Sequence, residues 1–181
     1  MDLKILGQHN KQNAAVAAVV ASYFSVSPVI SLEVINKFSG LPHRIKFVKN
    51  VHGVEFYNDS ASTNPQTTVA ALRSFPKKTK ILIAGGRDKN LDFRILKSVI
   101  KSEDVRAVVL FGECRAKIKK AIDGAAPIYN SSNLEGAIKS ALKGSKLGDV
   151  VIFSPGATSF DMFENYKERG DAFEKIVKRL K

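Results

Sequence analysis

The string Asn58-Asp59-Ser60-Ala61-Ser62-Thr63-Asn64-Pro65 follows a short apolar run and sets one carboxylate among small hydroxyl side chains. A carboxylate in that company accepts hydrogen bonds from hydroxyls, whether of its own chain or of a ligand. Three other stretches share the look: Gly85-Gly86-Arg87-Asp88-Lys89-Asn90-Leu91-Asp92, Gly112-Glu113-Cys114-Arg115, and the run from Ser154 to Gly170. Gly85-Gly86 permits close backbone approach, and Lys89 can bring a positive charge to an anion. Ser154, Thr158 and Ser159 are expected to precede a helix whose free N–H groups and dipole favour a carboxylate or phosphate. Each feature also has a plainer reading. A Gly-Gly pair makes a tight turn, Ser159 makes an N-cap, and Asp59 caps the helix or turn behind it. What favours a small-anion site is that all of them fall at the ends of apolar runs.

Other chemistries are set aside by pattern. His9, His43 and His52 are scattered and Cys114 is the single cysteine, so there is no metal-ligand spacing and no internal disulfide. Gly-x-Ser-x-Gly, Gly-x-Gly-x-x-Gly and the triphosphate loop Gly-x-x-x-x-Gly-Lys-[Ser/Thr] are all absent. The net charge of +12 favours anionic partners. Its lysines are dispersed, as in 77–80, 117–120 and 175–181, with no interleaved aromatics. That reads as solvated surface rather than a nucleic-acid stripe. No apolar run approaches the ~18 residues of a membrane span, and the first residues lack the basic start and apolar stretch of a signal peptide. The expected compartment is the cytoplasm.

These segments need a scaffold, and the hydrophobic pattern supplies one. Apolar β-prone runs occur at 45–49, 54–58, 80–84, 106–111, 127–129 and 149–153, with helical patterns at 65–75, 91–102, 114–123, 133–143 and 159–180. Such alternation predicts an α/β fold with a mostly parallel sheet, opened by a hairpin about 50–53. Ligands of these sheets bind beyond the carboxyl ends of the strands, where the four segments lie. Upstream, 9–24 and 31–40 read as two helices with no strand, the second capped by Ser31 and stopped by Gly40 and Pro42. Two apolar helices make a poor independent domain and read as the end of something larger.

Five stretches stand out in order: GQHNKQNAAVA (7–17), GLPHRIKFV (40–48), GVEFYNDSASTNPQTTVAAL (53–72), ILIAGGRDKNLDF (81–93) and GDVVIFSPGATSFDMFENYKERGDAF (148–173). Together they resemble the Mur ligases of peptidoglycan synthesis, and among them the branch that adds D-glutamate. The resemblance implies that 1–40 are the last helices of a central ATPase domain and 41–181 a Rossmann-like C-terminal domain. It implies ATP and Mg2+ as cofactors, with the metal ligands and triphosphate loop outside this chain. D-glutamate and UDP-N-acetylmuramoyl-L-alanine are the implied substrates, the latter met through the absent domains. No nucleic acid or membrane partner is implied, and the protein is expected to be a monomer. The implied reaction is amide formation through an acyl phosphate, so the isolated chain is expected to be inactive.

By the same resemblance, Asn10 and Asn13 lie near adenine, Arg44 reaches the phosphates with His43 nearby, and Asp59 accepts the ribose hydroxyls. Thr63 and Lys89 hold the α-carboxylate of D-glutamate; Ser159, with the backbone about Phe160 and Tyr166, takes the side-chain carboxylate. Arg44 and Lys89 are the expected catalytic groups. A diacid needs two anion sites, which agrees with the residue-level reading. The chain departs from the pattern at Ala61, where many members carry lysine. Two other readings stay open: a non-catalytic nucleotide- or partner-binding module, and nucleic-acid binding through the +12 charge.

Overall fold

A computed structural model describes residues 3–181. The chain divides into two compact units at the Pro42–His43 junction, two residues beyond the expected boundary.

The first unit holds α1 (Gln8–Tyr23) and α2 (Pro28–Lys37). α2 starts earlier than its pattern suggests. Ser27 is the cap and accepts from Ile30 N, while Pro28 fills the first helical position, where a missing N–H costs nothing. Ser31, the expected cap, is buried inside the helix, and α2 ends at Lys37 rather than at Gly40. Val16, Val19, Tyr23, Phe24, Val29 and Val34 are exposed on these helices. Among the described residues no helix is long and apolar enough to cross a membrane.

The second unit runs β1 (Lys46–Val51), β2 (Val54–Asn58), α3 (Pro65–Arg73), β3 (Lys80–Gly85), α4 (Ile95–Ser102), β4 (Val105–Phe111), α5 (Arg115–Ala121), β5 (Ile128–Asn130), α6 (Leu134–Gly144), β6 (Val150–Phe153) and α7 (Tyr166–Arg179). β1 and β2 form the expected hairpin, with His52 and Gly53 both at positive φ as a two-residue turn of this kind requires. The remaining pairs are parallel, giving the order β1-β2-β6-β3-β4-β5. β3 and β6 are buried at every position because helices cover both sheet faces, so they read as unbroken apolar runs. Leu82, Leu110 and Ile152 point to the face under α3, α4 and α5; Ile83, Val109 and Phe153 point to the face under α6 and α7.

This order brings the carboxyl ends of β2, β6, β3 and β4 side by side, so the four candidate segments share one edge. The last of them is built differently from its pattern. α7 begins at Tyr166, with Asn165 accepting from Lys167 N at 2.9 Å and Glu168 N at 3.0 Å. Ser159 is therefore neither an N-cap nor at a helix N-terminus. Residues 159–163 close a turn instead, in which Ser159 O accepts from Met162 N and Phe163 N. α4 likewise begins at Ile95 rather than near residue 91. Asn64, not Asp59, caps α3, accepting from Thr67 N at 3.0 Å ahead of Pro65.

Candidate functional site

The segments after β3 and β6 are joined into one piece. Arg87 N donates to Thr158 O at 2.8 Å and Thr158 Oγ1 donates to Arg87 O at 3.3 Å, a single antiparallel bridge between two loops. Gly86 makes the bridge possible. Its φ is +140°, and a Cβ there would sit 2.2 Å from Thr158 O, a backbone atom that cannot step aside. The expected close approach is therefore made, though by the protein's own backbone. Gly86→Ala is expected to cost at least ~1–3 kcal/mol through backbone strain alone, read from urea unfolding.

Charge on these loops is distributed unevenly. Asp88, next to Lys89 in sequence, is engaged elsewhere: its carboxylate accepts from Lys117 Nζ at 2.7 Å and from Leu91 N at 3.2 Å. The Lys117 hydrogen bond holds the Asp88 carboxyl below the usual range. Arg87 faces Glu113 at 3.7 Å and its Nη1 donates to Phe160 O at 3.4 Å. Lys89 forms no ion pair among the described residues and rests 5.2 Å from the centre of the Phe160 ring. An uncompensated ammonium on a loop of paired charges is able to receive an anion.

Ser159 supplies a second. It is 2% exposed, yet its hydroxyl takes no hydrogen bond among the described residues. Among the described residues the enclosed side-chain oxygen without a partner is that of Ser31, so the Ser159 oxygen still meets solvent and is open to a ligand. The Thr63 hydroxyl, half-buried after β2, is likewise unpartnered among them.

The segment after β2 is held by a buried network. Asp59 is 4% exposed: Oδ1 accepts from Ile45 N at 3.2 Å, and Oδ2 accepts from Ser62 Oγ and from Ser154 Oγ at 2.8 Å. Burial raises its pKa to about 6, against the opposing pull of the two serine hydrogen bonds. His43 and Ile45 have φ of +62° and +45°, and the latter is unusual for a β-branched side chain. Asp59 thus clamps the strained turn that presents exposed Arg44. Asn58 Oδ1 accepts from Ser60 N, so its amide Nδ2 is what faces His43 Nδ1 at 3.0 Å, which suits the His43 tautomer protonated on Nε2. Gly170 lies against that ring; a Cβ there would meet His43 Nδ1 at 2.3 Å.

The raised Asp59 pKa has a definite sign. The folded carboxyl binds its proton more tightly than the unfolded one, near 3.8, does. Its contribution is therefore fully present below pH about 4 and is lost as pH rises through about 6. The stability difference between the wild type and Asp59→Asn is expected to change by up to about 3 kcal/mol between pH 4 and pH 7, the wild type losing ground as pH rises. Urea midpoints at four pH values measure it, and a pH-independent difference refutes it.

One central residue carries no sequence signal of its own role. Arg169, on the first turns of α7, is 0% exposed and donates from Nε to Ser60 Oγ at 3.0 Å, from Nη2 to Ser60 O at 2.9 Å and from Nη1 to Ala157 O at 3.0 Å. It ties the loop after β2 to the loop after β6. Ser60 Oγ in turn donates to Tyr166 O at 2.8 Å. Lys89, Phe160 and Ser159 are thus brought together on the joined loops, and Asp59 holds the turn of Arg44 in the same unit. Asn10 and Asn13 lie on α1 in the first unit, with Asn10 Nδ2 donating to Leu6 O at 2.6 Å.

The second unit is thus an α/β sheet with its polar loops gathered at one edge. Residues 43–156 match the family "Mur ligase, glutamate ligase domain", and the chain belongs to that family. Its relatives include the UDP-N-acetylmuramoylalanine--D-glutamate ligase of Aquifex aeolicus, 45% identical over 97% of this chain and 42% of that protein. The enzyme of the same name from Salinibacter ruber is 41% identical over 99% of this chain and 39% of its own length. The chain thus spans about two fifths of the length of these relatives. In fold it is similar to a pseudomurein peptide ligase type C from Methanothermus fervidus, with a TM-score of 0.71 at 20% identity over 99% of this chain and 37% of the other. A Mycobacterium tuberculosis folylpolyglutamate synthase complexed with ADP gives 0.69 at 16% identity over 99% and 42%.

Proposed function

We propose that this chain is the C-terminal part of an ATP-dependent ligase that joins D-glutamate to UDP-N-acetylmuramoyl-L-alanine in peptidoglycan synthesis. The observation that carries the reading is the pair of groups on the joined loops that have no protein hydrogen-bond or ion-pair partner among the described residues, the Lys89 ammonium and the Ser159 hydroxyl. D-glutamate has two carboxylates to match them. Lys89 and the free Thr63 hydroxyl take the α-carboxylate; Ser159, with the backbone about Phe160 and Tyr166, takes the side-chain carboxylate.

ATP supplies the phosphoryl group that activates the substrate carboxylate as an acyl phosphate. The residues present fit part of such a nucleotide. Arg44 is exposed and held in place through Ile45 and Asp59, so it can meet phosphate charge, with His43 beside it. Asp59 Oδ1 accepts one internal donor and keeps a lone pair for a ribose hydroxyl. Asn10 and Asn13 carry amides suited to adenine. Among the described residues no three His, Cys, Asp or Glu side chains could hold a metal ion. We assign Mg2+ and the triphosphate contacts to other parts of the ligase. The role of this chain is then to orient the attacking amine and neutralise its carboxylates, which is catalysis by positioning and charge.

The test is phosphate release. The isolated 181-residue chain is expected to give no D-glutamate-dependent phosphate release from ATP and UDP-N-acetylmuramoyl-L-alanine. Addition of the remaining ligase sequence on the same polypeptide is expected to restore it. Activity in the isolated chain, or none in the extended one, counts against the proposal.

A further inference from the structure

We propose that the ring of Phe160 is a positioning group for Lys89, holding its ammonium where an incoming carboxylate needs it; this rests on the reading of Lys89 as a D-glutamate contact. Lys89 stands in an exposed loop next to Asn90, itself at positive φ. A lysine there has four rotatable bonds, and freezing them on binding costs affinity. Carboxylates could restrain it, but they would also compete with the ligand. Here Asp88 is taken by Lys117, Glu113 faces Arg87, and no carboxylate pairs with Lys89 among the described residues. The Phe160 ring offers the alternative. It attracts the ammonium through its negative face without neutralising it, so the charge stays available.

The placement of Phe160 supports this. Half of its surface is exposed, which is poor use of a large apolar side chain unless something rests on it. Its backbone is fixed on both sides. Arg87 Nη1 donates to its carbonyl, the preceding Thr158 is bridged to Arg87, and the turn at Ser159 closes beneath it. The loop that carries Lys89 is therefore tied to the loop that carries the ring, and the two move together. Ser159 is the neighbour of Phe160, so the same tie sets the spacing between the two carboxylate contacts.

Reductive dimethylation with carbon-13 gives each lysine of the chain its own NMR signal. The Lys89 signal, identified by its loss in Lys89→Arg, is expected to be shifted upfield by the ring. It is expected to return to the position of an exposed lysine in Phe160→Leu and to stay shifted in Phe160→Trp. In the extended ligase, Phe160→Leu is expected to raise the KM for D-glutamate about 2–5-fold, the size of an exposed cation–π contact. The KM for ATP stays unchanged and Phe160→Trp restores the wild-type value. A Lys89 signal that is the same in wild type and Phe160→Leu overturns the inference, as does a D-glutamate KM unmoved by Phe160→Leu where Lys89→Ala raises it. If Lys89→Ala itself leaves that KM unmoved while the ring shift is present, the D-glutamate reading has failed, and the positioning role with it.

Discussion

Lys89→Ala in the complete ligase is expected to raise the KM for D-glutamate about 10–100-fold and to leave the KM for ATP within about twofold. The size follows from the kind of contact. A hydrogen bond to a charged group contributes about 1.5–3 kcal/mol, and each 1.4 kcal/mol is a factor of ten. The split between substrates follows from placement: Lys89 belongs to the joined loops after β3 and β6, whereas Arg44 and Asp59 belong to the segments about β1 and β2. Lys89→Arg keeps the charge but exchanges a compact ammonium for a planar fork, and only partial recovery is expected. Steady-state kinetics with each substrate varied in turn measure both. Equal rises for D-glutamate and ATP would point to a structural fault in the loop, and no rise would remove Lys89 from the site.

The parts of this site differed in how visible they were along the chain. β3 and β6 announce themselves because central strands of a covered sheet must be apolar at every position, and the strand order then places Asp59, Lys89 and Ser159 on one edge. The start of α7 was hidden. The run Thr158-Ser159-Phe160-Asp161 has a hydroxyl before apolar and acidic residues, which is what a helix start looks like. The stronger signal stood six residues on, where Asn165 is followed at the third position by Glu168. Likewise Ser27-Pro28 outranks Ser31 as the start of α2, since proline at the first position sets the helical φ in advance. That Ser159 is buried with a free hydroxyl could not be read at all, because burial depends on which loop folds over it. Lys89 was legible as a charge but not as an unpaired one; that needed the diversion of Asp88 to Lys117, a long-range contact.

Arg169 was the least legible. It stands in the run 148–173 that carries the family resemblance, but nothing along the chain marks it, among 29 basic residues, as a buried tie between two loops. Its effect on stability is nevertheless expected to be the largest. Burial lowers its pKa to about 10, so the folded chain bears a real desolvation cost to keep a guanidinium there. Removing the charge relieves that cost, on the order of 3 kcal/mol. Set against it, Arg169→Met leaves three acceptors (Ser60 Oγ, Ser60 O and Ala157 O) without their donors in a buried place, at about 1–3 kcal/mol each. The second effect wins, and a net loss of about 2–4 kcal/mol is expected, a fall of about 1–2 M in urea midpoint for a chain of this size. Arg169→Lys separates charge from shape. A lysine keeps the charge but cannot place three donors in the plane that reaches both loops, so it is expected to recover less than half of the loss. The two loops also carry Thr63 and Ser159, one on each side of the guanidinium. Loosening them should raise the KM for D-glutamate even at temperatures where both variants are fully folded. A lysine variant as stable as the wild type would show that the charge alone matters, and the role of Arg169 as a tie between the loops would fall.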